Sequence, residues 1–160
     1  MGTRGTVHWN EVCTWNDSQT GEVKTKKSNL LNVYNHWDSY PEGLGKELAQ
    51  FISEHTIVNG IGLDDDKTKI ANGFSDLALL WLCHHKNGEV GAVYATTEDC
   101  ELEEYNYWIT DDYDARREEN WCPEPKHVIT IKCINWTEEL VFDGTPEEWI
   151  KWLKEQEKEQ

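Results

Sequence analysis

Tyr34-Asn35-His36-Trp37-Asp38-Ser39-Tyr40-Pro41-Glu42-Gly43-Leu44-Gly45 joins a strand to a helix, and the rest of the chain is organised around that junction. Tyr34 to Asp38 reads as a strand end, which Pro41 stops because proline has no N–H for a ladder. Pro41 and Glu42 suit the first turn of a helix. Leu44, Leu48, Phe51 and Ile52 then recur at helical spacing with one apolar face. Within the strand end, a period of two places Tyr34, His36 and Asp38 on one face, with Tyr40 extending the series. Asn35 and Trp37 fall on the other. A face so rich in titratable and aromatic groups suits the wall of a pocket.

Upstream, Thr3 to Trp15 alternates as a strand with Val7 and Trp9 inward. The turn cluster Asn16 to Gly21 returns the chain along Glu22 to Trp37. A simple hairpin register brings Thr3 and Arg4 beside His36 and Asp38. Downstream, His55 to Ala71 reads as a loop-rich connection, and Phe74 to Lys86 as a helix buried on most sides. Gly91 to Thr96, Glu104 to Ile109, His127 to Ile134 and Glu139 to Phe142 read as further strands, with 111–125 a flexible charged loop. Thr145-Pro146-Glu147-Glu148 opens a last helix with a capping box, and residues 155–160 form a frayed tail. The expected fold is one α+β domain spanning 1–160, an antiparallel sheet covered by two or three helices.

Composition narrows the function classes. With 15 basic and 31 acidic residues, a net of −16, the surface disfavours direct binding to nucleic acid or anionic membrane. The same charge would attract a basic protein. Nine tryptophans imply an aromatic core. Five cysteines without a C-x-x-C pair argue for a reducing compartment. No apolar run has membrane-spanning length, so a cytoplasmic protein is expected, in the host cytoplasm if a phage encodes it.

The opening Met1-Gly2-Thr3-Arg4-Gly5, followed by Tyr34-x-His36-Trp37-Asp38-x-Tyr40-Pro41-x-Gly43, resembles a family of unassigned activity found in phages, bacteria and fungi. Its members open M-G-T-R and carry a Y-x-[HQ]-W-D-G-Y-P-x-G segment. The likeness continues through Ala71-Asn72-Gly73, Gly91 to Tyr94, Glu103 to Tyr107 and Gly144 to Glu148. Ser39 stands where the family has glycine. Relatives with glutamine at the position of His36 imply that this imidazole is not indispensable across the family. The resemblance implies a phage origin and a site, and no activity.

The candidate ligand-binding set is Thr3, Arg4, His36, Trp37, Asp38, Tyr40 and Glu42. Arg4 offers a planar fork of donors for phosphate or carboxylate. His36 exchanges a proton near neutral pH and is the one candidate catalytic residue. Trp37 and Tyr40 can stack on a base. The competing reading is structural, an Arg4–Asp38 ion pair that braces the hairpin. Asp99, Glu103 and Glu104 read as exposed acids, with divalent-metal binding as the alternative. Asp64 to Asp66 lack the pattern of a calcium loop. His84 and His85 read as cations beside a helix C-terminus. No cofactor is expected. The expected function is binding of a small nucleotide-like ligand, with sequestration of a host immune signal as its use in a phage. Hydrolysis of such a ligand by His36 is one alternative, and capture of a basic host protein is the other.

Overall fold

The computed structural model describes residues 2–60, 68–100, 103–118 and 126–160. The chain runs β1 (Gly5–Asn16), β2 (Val23–Asn35), a wide helical turn (Pro41–Gly45), α1 (Lys46–Glu54), β3 (Thr56–Val58), β4 (Ile70–Asn72), α2 (Phe74–Lys86) and β5 (Val93–Ala95). It continues with β6 (Tyr105–Asp114), a short 3-10 turn (Ala115–Glu118), β7 (His127–Asn135), β8 (Leu140–Gly144) and α3 (Pro146–Lys158). These make a single α+β domain. Six strands form one sheet in the order β5-β2-β1-β6-β7-β8, and β3 and β4 form a separate parallel pair. No helix among the described residues is long and apolar enough to cross a membrane.

The main sheet is mixed, which corrects the expectation of an all-antiparallel one. β1 pairs with β2 antiparallel, but its other edge pairs with β6 in parallel, Val7 opposite Tyr107 and Trp9 opposite Ile109. The physical reason is burial. β1 is central and loses both edges to neighbours, and only the returning chain near Tyr105 carries enough aromatic and β-branched side chains to match it. Two rows of cross-strand neighbours build the floor of the core: Val33, Val7, Tyr107 and Cys133, then Leu31, Trp9, Ile109 and Ile131. Leu48, Ala49 and Ile52 of α1, Phe74, Leu77 and Trp81 of α2, and Trp149 and Leu153 of α3 pack onto that floor.

Local signals explain the helix ends. The capping box of α3 is present, with the Glu148 N–H donating to Thr145 Oγ1 at 3.2 Å and the Thr145 N–H to Glu148 Oε2 at 2.8 Å. α3 continues to Lys158, so residues 155–158 are helical where a frayed tail was expected; Glu–Lys–Gln composition is adequate helix former. α2 ends on Asn87 in the left-handed conformation, with Gly88 after it. Its outer side exposes Leu79 and Leu80, so it is less enclosed than its composition implies.

The region 111–125 also departs from expectation. β6 continues to Asp114 because its acids find partners there. Asp111 is buried against His127, and Arg116 grips Asp114 through Nε and Nη2 at 2.9 and 2.8 Å. Residues 119–125 and the Asp64–Asp66 triplet lie outside the described residues. The Arg116 guanidinium holds the Asp114 carboxyl down at about 2. A carboxyl depressed in the folded state stabilises above the ordinary carboxylate range, and that stability is lost as pH falls through the folded value. Asp114→Asn is therefore expected to lower the melting temperature at neutral pH. The gap to the parent should close as pH falls toward about 2, read by thermal melts across pH.

Candidate functional site

The strand-to-helix junction is braced from below by a serine. Ser39 is fully buried. Its N–H donates to the Thr3 carbonyl at 3.0 Å, and its own carbonyl accepts from the Tyr107 hydroxyl at 2.7 Å. Gly5 passes so close that a Cβ there would sit 2.7 Å from Ser39 Cβ and 2.8 Å from the Tyr105 carbonyl. The glycine of the opening motif is thus required by close approach. Gly43 is required similarly, since a Cβ would lie 2.5 Å from the Asp38 carbonyl.

At Asp38 the chain adopts φ = 54°, a left-handed residue that asparagine and aspartate tolerate better than most. This ends the period of two. Tyr34 and His36 remain on the outer face of the sheet, where the Tyr34 hydroxyl and His36 Nδ1 share a 2.8 Å hydrogen bond. Trp37, Asp38 and Tyr40 instead turn toward the helix-covered side. They line a cavity of about 390 Å3 with Asn35, Glu47, His85 and Lys86. Within the candidate set, the structure therefore brings Trp37, Asp38 and Tyr40 together in this cavity. It leaves Thr3, Arg4, His36 and Glu42 outside its lining.

Arg4 has other partners than Asp38. Its backbone N–H donates to Glu104 Oε2 at 2.9 Å, and its Nε lies 3.7 Å from Glu103 Oε2. The expected Arg4–Asp38 pair does not form, because Asp38 has turned to the other side of the sheet edge. The hairpin register itself holds, Gly5 opposite Asn35. Glu103 and Glu104 are thereby engaged by Arg4. Among the described residues, no three His, Cys, Asp or Glu side chains are grouped to hold a metal ion.

The floor of the cavity is a hydrogen-bonded chain of three side chains. Asn35 Nδ2 donates to Ser39 Oγ at 2.8 Å and to the Trp37 carbonyl, which fixes its amide orientation. Its Oδ1 then accepts from His85 Nε2 at 2.8 Å. His85 Nδ1 faces both Glu47 oxygens, at 2.8 and 2.9 Å. Trp81 stacks against the imidazole, centroids 4.9 Å apart and planes 13° from parallel. Both ring nitrogens of His85 are thus engaged by neighbouring side chains. Lys86 is occupied as well, its Nζ donating to the Val93 carbonyl at 3.0 Å.

Sequence reasoning missed Asn35, Glu47 and His85. Asn35 was assigned to the face opposite the pocket, and His85 to a helix dipole. The signal that could have found them is chemical: an asparagine at the buried end of a strand needs polar partners, and a histidine with one exposed neighbour on the same helix can supply one.

The upper wall is aromatic and half exposed, Trp37 at 52% and Tyr40 at 38%. Gly2 packs flat against the Trp37 indole, leaving no room for a side chain. The indole also meets His36 at a near-perpendicular angle, centroids 4.4 Å apart, and His36 leads through Tyr34 to Tyr94. The Arg4 guanidinium lies within electrostatic reach of the Tyr34 hydroxyl. An aromatic strip thus runs from the cavity over the sheet edge to a guanidinium. No family model matches this chain, and neither a curated protein nor a solved structure matches it.

Proposed function

We propose that the protein binds a small nucleotide-like molecule, its planar ring seated against Trp37 and Tyr40 and its anionic end laid over His36 toward Arg4. The observation that supports this reading is the cavity of about 390 Å3 with two half-exposed aromatics above a locked Asn35–His85–Glu47 floor. A floor whose polar atoms are already satisfied is pre-organised, so little ordering cost falls on binding. Asp38 and Glu47 place acceptor oxygens at the cavity wall, which suits the exocyclic and ring N–H groups of a base. Arg4 is the cation nearest the strip and suits a phosphate. In a phage, such a protein would serve to sequester a nucleotide-derived host immune signal.

The geometry gives less support to hydrolysis by His36, which lies outside the cavity lining and spends Nδ1 on Tyr34. Capture of a basic host protein draws its support from the net charge alone.

The protein is expected to retain a nucleotide from a panel of cyclic and ADP-ribose-type molecules and to release it intact on heating. Trp37→Ala should weaken binding about 10- to 100-fold by calorimetry, the usual contribution of one stacked base. Arg4→Ala should weaken phosphorylated ligands and spare the free nucleoside. Released ligand that has changed chemically would favour hydrolysis. No retention, together with salt-sensitive capture of a basic protein, would sink the small-ligand reading.

A further inference from the structure

At the other end of the sheet lies a second cavity, of about 560 Å3, between the end of α1, the start of β7 and the first turn of α3. Its walls are apolar at Ile52, Ile57, Val128 and Ile129, and the imidazoles of His55 and His127 interrupt them, with Lys126 and Glu147 also in the lining. A volume of this size accommodates a small molecule. The strand register explains the placement of His127. Tyr113 pairs with His127, and Asp111 with Ile129, so Asp111 and His127 are diagonal neighbours on the helix-covered face.

His127 is held on two sides. Its Nδ1 lies 2.6 Å from Asp111 Oδ2, and the Tyr113 ring packs on it at 4.8 Å between centroids. Asp111 has no solvent exposure, and its Oδ1 has no hydrogen-bond partner among the described residues. The contact with Asp111 favours the tautomer that donates through Nδ1, in which Nε2 is the acceptor, and Arg117 lies within electrostatic reach of the same carboxylate. His127 itself keeps about a quarter of its side chain exposed, 28%. A buried carboxylate that orients a partly exposed imidazole in this way is the arrangement of a general base.

We propose that Asp111 and His127 form a second, hydrolytic site that takes a neutral carboxylic ester with a small apolar acyl group. The apolar walls select the acyl group. His127 Nε2 takes a proton from water as the water oxygen bonds to the acyl carbon. The bond from that carbon to the alcohol oxygen then breaks, and His127 returns the proton to the departing alkoxide. Atoms and charges balance without a cofactor. Cys13, in the same cross-strand row as Tyr113 and His127, is no competing nucleophile. Burial, with Glu11 and Asp111 nearby, raises its thiol above the ordinary value and keeps it protonated. Asp111 acts through His127 and is a positioning residue.

The test is release of p-nitrophenolate from p-nitrophenyl butyrate by the full chain. Saturable kinetics are expected, with His127→Gln lowering kcat about 100-fold or more. Asp111→Asn should lower kcat while leaving KM within about twofold, which a general loosening of the fold would not do. Ile57→Trp, which fills the cavity and leaves the dyad in place, should suppress turnover while the circular dichroism stays that of the parent. Should His127→Gln fail to fold, Ile57→Trp decides alone. A rate that is linear in ester concentration, or unchanged in His127→Gln or in Ile57→Trp, overturns the proposal.

Discussion

Asn35→Leu is expected to destabilise the protein by roughly 3–5 kcal/mol and to abolish ligand binding in the Trp37 cavity. The side chain is buried and serves three neighbours at once, donating to Ser39 and Trp37 and accepting from His85. Leucine has similar volume, so the loss is polar and not a cavity effect. Each buried group left without its partner costs about 1–3 kcal/mol, and three are affected, though not additively. At roughly 2–4 °C per kcal/mol for a domain of this size, the melting temperature should fall by roughly 6–20 °C. Asn35→Asp keeps an acceptor for His85 and loses the two donations, so it should fall between parent and leucine variant. A leucine variant that melts within about 2 °C of the parent would show that the floor is held by other contacts.

Trp149→Ala is expected to cost a similar or larger amount, about 3–5 kcal/mol. The indole has no solvent exposure, and its Nε1 donates to the Ile131 carbonyl at 3.0 Å. It meets Phe142 edge-on at 4.9 Å and Trp152 at 5.5 Å between centroids, and it lies over Gly45 so closely that a Cβ there would sit 2.6 Å from Cζ3. Removing it opens a cavity where α3, the sheet and the start of α1 meet. Trp149→Phe should restore much of the packing and none of the hydrogen bond, leaving a residual loss of about 1–3 kcal/mol by denaturant unfolding. Because Gly45 continues directly from the Pro41–Gly43 turn, Trp149→Ala should also weaken ligand binding at a site it does not touch. Equal affinity in parent and variant would separate helix docking from the pocket.

How much was legible beforehand follows a physical boundary. The hairpin from Gly5 to Asn35, the helix starting near Pro41 and the Thr145 capping box were readable because each depends on residues a few positions apart. Thr3 lies at the junction as expected, although a bulge between Trp9 and Asn10 shifts the hairpin register by one residue on the way from the turn. The faces of Asp38 and Tyr40 were misread because a period of two holds only while φ stays extended, and Asp38 leaves that region, whereas His36 beside Tyr34 and Trp37 beside Asn35 follow it. Arg4 was given the wrong partner for the same reason. Asp111 was hidden at the start of a stretch read as a loop, because three aspartates and a tyrosine in a row look solvated until the neighbour that buries Asp111 is known.

Local chemistry therefore determined which residues make strands, turns and helix ends, and that the Tyr34–Gly45 junction joins a strand to a helix. Only the tertiary structure decided that β6 lies parallel to β1, with Thr6 donating to Asn106 across one hundred positions of sequence. It also decided which polar groups share a buried wall. Pairings over such separations are chosen by the summed burial of whole faces, and no window of neighbouring residues carries that sum.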